Sequence, residues 1–188
     1  MSDIRNPWLA ARAAEMRESI AELRAKVTPL SYLQLGWRPP EGGWSIAQVL
    51  EHLIITDQSY VDALSEILPR ARPSATSYEW RPSLIGGFLT RSQMPDSKTK
   101  MTTPPRWRPG PEARANVLES YIQVREQLIG LVQSADGKDL RRTKLGSPAA
   151  KWIRMNVGDA FMTLVVHTQR HLRQIERIAA DPRFPTTD

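Results

Sequence analysis

Across 188 residues, 40% of them hydrophobic, there is apolar material for one full core, so a single domain spanning 1–188 is expected. No cysteine occurs, which excludes disulfides, thiolate metal ligation and a cysteine nucleophile, and fits a reducing cytoplasm. The formal charge of +6 and pI near 10.0 raise nucleic acid as a partner, but Lys and Arg lie scattered among Asp and Glu, so a solvated basic surface and no nucleic-acid partner are expected.

The start, Met1-Ser2-Asp3-Ile4-Arg5, lacks a signal-peptide core, and no apolar run approaches the roughly 18 residues that cross a bilayer. A soluble, cytoplasmic chain without a membrane partner is therefore expected. Asn6-Pro7-Trp8 sets a capping side chain ahead of a proline in the first helical position, where its missing N–H is harmless. Leu9, Ala13, Met16, Ile20, Leu23 and Val27 then recur every three or four residues, which predicts a first helix to about Val27, stopping before Pro29. The stretch Leu35 to Trp44, with Gly36, Pro39, Pro40, Gly42 and Gly43, is predicted to be a non-helical connection that Trp37 and Trp44 pack down on the helices.

Ser45 with Gln48 three residues on matches a capping box, and Ile46, Val49, Leu50, Leu53, Tyr60, Val61, Leu64 and Leu68 carry a second helix to Pro69. His52 lies about two turns in, on a polar stripe with Gln48, Thr56 and Ser59. Such a stripe lines a cavity, yet a solvent-facing edge reads the same, and so does a core-edge histidine with one hydrogen bond.

Pro69 to Pro111 contains eight prolines and is read as a long connection between the second and third helices, with a short helix or turn at Ser83 to Leu89. It is expected to cover one mouth of the helices, made basic by Lys98, Lys100, Arg106 and Arg108 and anchored by Trp80 and Trp107; a purely structural crossover fits the same residues. Gly110-Pro111-Glu112 reads as the restart of a helix, the third, which runs through Val117, Leu118, Tyr121, Val124, Leu128, Leu131 and Val132 to Ala135. Asp136-Gly137 ends it with a left-handed cap. Residues 138 to 155 follow as an irregular connection whose extended structure the sequence leaves undecided, and Lys138 to Lys144 is the local basic cluster of the chain. Asn156 caps the fourth helix, with Asp159 in its first turn and Asp181-Pro182 closing it. Thr163, His167, His171 and Gln174 share one stripe of it, while Arg170, Arg173 and Arg177 lie mostly elsewhere and read as solvated. The pattern is all-α, a four-helix bundle with a long connection between helices two and three.

All three histidines of the chain fall on these two polar stripes. His167 and His171, four residues apart, meet on one helix face with Cβ atoms about 5–6 Å apart. If the second helix faces the fourth, His52 completes a set of three neutral nitrogen ligands for a divalent metal ion. Zn²⁺ or Ni²⁺ is the expected ion, since imidazole suits both. Glu51 stands about 100° around the helix from His52, so no carboxylate is placed as a general base and the catalytic residues stay unassigned.

Trp44-Ser45-Ile46-Ala47-Gln48-Val49-Leu50-Glu51-His52-Leu53, taken with His167-Thr168-Gln169-Arg170-His171-Leu172-Arg173-Gln174-Ile175-Glu176-Arg177, resembles the DinB/YfiT-like superfamily. The resemblance runs over nearly the whole chain, including the Trp37-Arg38-Pro39-Pro40 approach and the lysine-rich loop before Pro104-Pro105. It implies a four-helix bundle, often a homodimer, with a divalent metal ion held by His52, His167 and His171. Similar proteins include transferases and isomerases that use bacillithiol, mycothiol or glutathione, beside others classed as metal-dependent hydrolases. The activity so implied is addition of a low-molecular-weight thiol to a small electrophile, the thiol arriving as cosubstrate because the chain has no cysteine. A hydrolase using a metal-bound water, or a non-catalytic metal-binding or stress-response module, is the alternative.

Overall fold

Three of the four long helices start where a side chain answers N–H groups that an α-helix leaves unpaired, a device worth about 1 kcal/mol each. The computed structural model describes residues 4–74, 79–97 and 102–186. Residues 1–3, read above for a signal peptide, and Lys98 and Lys100 of the basic loop lie outside the described residues. In α1 (Pro7–Val27) Asn6 Oδ1 accepts from the N–H groups of Trp8 and Leu9 at 3.0 and 3.2 Å. In α3 (Ile46–Ile67) Ser45 and Gln48 form the reciprocal box expected of them, and Asn156 and Asp159 do the same for α6 (Val157–Ala179). The remaining bundle helix, α5 (Val117–Ser134), begins at Asn116 without a side-chain cap and ends before Gly137, whose φ of +73° is the left-handed stop read from Asp136-Gly137.

Each long helix buries its apolar stripe in a shared core, with Leu9, Met16, Leu23, Leu50, Leu64, Tyr121, Leu128 and Phe161 fully buried. Around the bundle α1 packs on α5, α5 on α3, α3 on α6 and α6 on α1, so α1 and α3 stand diagonally opposite, as do α5 and α6. The architecture is the four-helix bundle expected, with the long connection between its second and third helices. Its order around the ring matters for function, because it makes the two histidine-bearing helices, α3 and α6, neighbours. Among the described residues no helix is long and apolar enough to cross a membrane.

The connections depart from the sequence reading in two places, and in a third they decide what it leaves open. A short helix α2 (Tyr32–Gly36) takes in Leu35 and Gly36, read above as non-helical, because Ser31 and Gln34 form a capping box of their own. Gln34 Nε2 also donates to the Pro185 carbonyl at 2.8 Å, holding the C-terminal segment. The third bundle helix starts at Val117 rather than at Pro111-Glu112. The carbonyls of Gly110 and Pro111 instead accept from Gln48 Nε2 at 2.7 Å and Arg38 Nη2 at 2.8 Å, which keeps the approach irregular. Residues 138 to 155 contain an antiparallel hairpin, β1 (Lys144–Ser147) and β2 (Ala150–Asn156), with Leu145 opposite Met155 and a register irregularity after Gly146. This small sheet is an addition to the all-helical expectation, and β2 runs directly into the Asn156 cap of α6.

Of the short helix or turn read at Ser83 to Leu89, the helix is the one formed, α4 (Leu84–Gln93), which extends beyond Leu89 and lies on α6. One carboxylate joins them: Asp159 accepts from Trp80 Nε1 at 3.0 Å, from the Ser83 N–H at 3.3 Å and from Ser83 Oγ at 2.6 Å, while serving its own capping box. Trp80 stacks on Trp8 with ring centroids 6.2 Å apart, the anchoring expected of it.

Candidate metal centre

The pitch of α6 and its packing against α3 bring all three histidines together. His52 Nε2 lies 3.2 Å from His167 Nε2, His171 Nε2 lies 3.2 Å from the same atom, and the three ligand nitrogens all fall within 4.8 Å of one another. His52, His167 and His171 are 3%, 8% and 8% exposed as residues, which rules out the solvent-facing edge for His52.

The outer nitrogens decide which atoms face inward. His52 Nδ1 sits 2.8 Å from the carbonyl of Trp107, an atom that only accepts, so Nδ1 carries the proton and Nε2 keeps its lone pair. His171 Nδ1 donates to Gln174 Oε1 at 2.8 Å with the same result. His167 Nδ1 is buried and has no partner among the described residues. Trp44 closes over the rings, with centroids 4.9 Å from His52 and 6.5 Å from His171.

Burial depresses the basicity of every ring. His52 is lowered by desolvation, the Trp107 carbonyl opposing, and His171 is brought down to about 3 by desolvation and then by the charge of His52. His167 is lowered well below its ordinary value by burial, then by His171, His52 and Arg125. At neutral pH the three rings are therefore uncharged, the form that ligates metal. Uncharged nitrogens with lone pairs facing one another form a poor arrangement by themselves and a good one around a cation. A metal–imidazole bond of about 2.0–2.1 Å in tetrahedral geometry puts neighbouring nitrogens about 3.3 Å apart, close to the two 3.2 Å gaps here. The cluster fits a single divalent ion, with coordination left open for a further ligand.

A cavity of about 380 Å³ opens onto the cluster. Thr56 of α3 and Thr163, His167, His171 and Gln174 of α6 line it, so the stripe read along the fourth helix is a cavity wall, whereas Gln48 and Ser59 of the other stripe turn elsewhere. The long connection supplies Leu89, Gln93, Pro104 and Trp107 to the wall, covering one mouth as expected, and the hairpin adds Ser147 and Ala149. Arg170, read as solvated, also lines the cavity and is half-buried; its Nη1 donates to the carbonyls of Ser92, Met94 and Ser97 at 3.3–3.4 Å. The helical period misplaced it because α4 covers a face of α6 that a four-helix pattern leaves open. Arg173 and Arg177 are exposed.

Two roles were missed in the sequence. Gln174 is the acceptor for His171, and its i+3 spacing was a usable signal. Trp107 acts through a backbone carbonyl 55 residues from His52, which has no sequence signature. Among the described residues no carboxylate lines the cavity, and Glu51 is engaged in a two-pronged pair with Arg114 at 2.6 and 2.9 Å.

A scan against family models matches residues 15–175 to the DinB superfamily. Among solved structures the chain is similar to YfiT from Bacillus subtilis, described as a probable metal-dependent hydrolase with an unusual four-helix bundle topology. The TM-score is 0.60 at 18% identity, covering 95% of this chain and 90% of that one, a likeness of fold. The search of curated proteins found no match.

Proposed function

The chain belongs to the DinB superfamily, and from that premise we propose that His52, His167 and His171 bind one divalent metal ion, Zn²⁺ or Ni²⁺, at which a low-molecular-weight thiol is added to a small electrophile. The observation that carries this reading is the convergence of three buried, uncharged imidazoles, two of them held with Nε2 inward by the Trp107 carbonyl and Gln174. When bound, the ion supplies Lewis acidity that lowers the pKa of a coordinated thiol or water.

The chain's own residues do the rest. Trp44, Tyr60, Leu89 and Trp107 give the cavity apolar walls that hold two small reactants together and limit water. Arg170 places positive charge in the wall, suited to a carboxylate of the cosubstrate. With no cysteine in the chain, the thiol comes from solution, and a cytoplasmic setting, where such thiols stay reduced, belongs to this reading. Hydrolysis is the second reading, favoured by the likeness to YfiT; against it, no carboxylate among the described lining residues stands ready to take a proton from water.

The test is metal analysis of untagged protein and its His52→Ala variant, then Co²⁺ substitution and titration with several biological thiols. Stoichiometric metal lost in His52→Ala, with a thiolate charge-transfer band for one thiol, supports the transferase. Wild-type metal content in His52→Ala removes the two-helix site. No spectral change with any thiol, alongside ester or amide cleavage, replaces the transferase with the hydrolase; neither activity leaves a non-catalytic metal-binding module.

The same reading treats residues 1–188 as one domain that pairs into a homodimer. That pairing comes from the family resemblance; the apolar stripes of α1 and α5 are used up inside the bundle, and what supports it is apolar surface at Leu84 and Phe88 of α4 and Trp152 of β2, exposed by 94%, 56% and 83%.

A further inference from the structure

Behind the histidines lies a second polar cluster that metal binding by itself does not explain. Asp57 of α3 and Arg125 of α5 are both 0% exposed, and Arg125 Nη1 donates to Asp57 Oδ2 at 3.1 Å. The other arm, Nη2, donates to the Leu164 carbonyl at 3.4 Å, on the turn of α6 that leads into His167. Thr56, next to Asp57, and Leu164 both line the cavity beside His167. The ion pair is thus fixed to the backbone that carries one histidine of the cluster. The charge of Arg125 is felt there, since it is among the causes that depress His167.

Buried polar atoms in this region lack any partner among the described residues: Thr56 Oγ1, Asp57 Oδ1, Arg125 Nε and His167 Nδ1. Protein interiors rarely leave such atoms unanswered, and ordered water is the usual answer where several polar groups border one space. His167 Nδ1 is the one that bears on function. For its Nε2 to present a lone pair beside those of His52 and His171, Nδ1 must carry a proton, and a buried N–H needs an acceptor. His52 has the Trp107 carbonyl and His171 has Gln174; among the described residues His167 Nδ1 has no partner. In the orphaned set, Asp57 Oδ1 is the acceptor that also carries charge. Burial pushes the Asp57 carboxyl up to about 6 while Arg125 opposes the rise, so it is mostly ionised at neutral pH.

We propose that ordered water links the Nδ1–H of His167 to Asp57 Oδ1, making Asp57 a positioning residue for the metal ligands and Arg125 the group that holds Asp57 in place. The link fixes the tautomer and orientation of the one ring of the three that has no direct acceptor among the described residues. It rests on the metal-binding reading.

Asp57→Asn alone strands the Arg125 charge in the core, so loss of fold there is uninformative. The deciding variant is Asp57→Leu/Arg125→Met, which replaces the pair by apolar groups of comparable volume. Zn²⁺ and Co²⁺ affinities are measured by chelator competition, the ligand field is followed in the Co²⁺ visible spectrum, and the fold is checked by thermal unfolding of the metal-free protein. The expected result is a melting temperature close to wild type with metal affinity about 10- to 100-fold weaker and shifted Co²⁺ bands. A folded double variant with wild-type affinity and spectrum overturns the inference while leaving the metal site standing, whereas a wild type that binds neither ion overturns both. If the double variant does not fold, a crystal structure of the metal-loaded wild type decides: ordered water within hydrogen-bonding reach of both His167 Nδ1 and Asp57 Oδ1 is expected, and its absence overturns the link.

Discussion

Gly86→Ala tests the architecture of the cavity wall independently of any metal. A Cβ at position 86 would stand 2.5 Å from Asp159 Oδ1 and nearer still to Cγ and Oδ2. Asp159 has nowhere to retreat, being 0% exposed and tied to Trp80, to both the N–H and the hydroxyl of Ser83, and to the N–H of Asn156. In an unobstructed helix, glycine to alanine stabilises by about 0.5–1 kcal/mol. Here the methyl group must displace a buried carboxylate, at about 1–3 kcal/mol for overpacking and about 1.5–3 kcal/mol for each charge-assisted hydrogen bond given up. With one such bond lost and the helix-propensity gain subtracted, the net expectation is a destabilisation of roughly 1.5–5.5 kcal/mol, opposite in sign to the helix-propensity effect. Urea unfolding gives the global value, and amide exchange across α4 shows whether the helix lifts off α6 instead, in which case residues 84–93 lose protection with a smaller global change. In an Asp159→Ala background the same substitution should become neutral or stabilising, since the obstruction is gone. A Gly86→Ala protein as stable as wild type with α4 protection intact would refute the close approach.

Two further outcomes follow from the buried rings and the exposed surface. The metal-free protein should lose stability as pH falls below about 6.5: His171 is depressed to about 3 in the fold, so its neutral form is favoured there and the unfolded chain takes up the proton first. The contribution of this ring is complete above its ordinary value of 6.5 and is lost toward its folded value of about 3, at about 1.4 kcal/mol per pH unit. Chelated wild type and His171→Gln compared by urea unfolding between pH 4.5 and about 7.5 check this, and equal pH slopes would contradict it. For the homodimer, sedimentation at micromolar concentration should show a species heavier than the 21.3 kDa chain, reduced by Phe88→Ser or Trp152→Ser; a single 21.3 kDa species removes the proposal.

What could be read from residue order acts within a turn or two of helix. Asn6, Ser45 and Asn156 answer N–H groups two or three residues away, so the starts of α1, α3 and α6 were visible in the chain. The pairing of His167 with His171 is likewise a matter of helical pitch. Even α2 obeys such a rule through Ser31 and Gln34, and it escaped only because five residues are too few to show an apolar repeat. The start of α5 is different, because the carbonyls of Gly110 and Pro111 are held by Gln48 and Arg38, partners 62 and 73 residues away. His52 joins the cluster because the bundle order sets α3 beside α6, and its tautomer is fixed by a carbonyl in the long connection. The position of Arg170 in the wall depends on α4 lying across α6, and the hold of the buried Asp57–Arg125 pair on the Leu164 carbonyl depends on α3, α5 and α6 meeting there. Caps and stripes repeat with the pitch of the backbone and so leave a periodic trace in the sequence, whereas contacts between distant segments obey no period and exist only once the helices have packed.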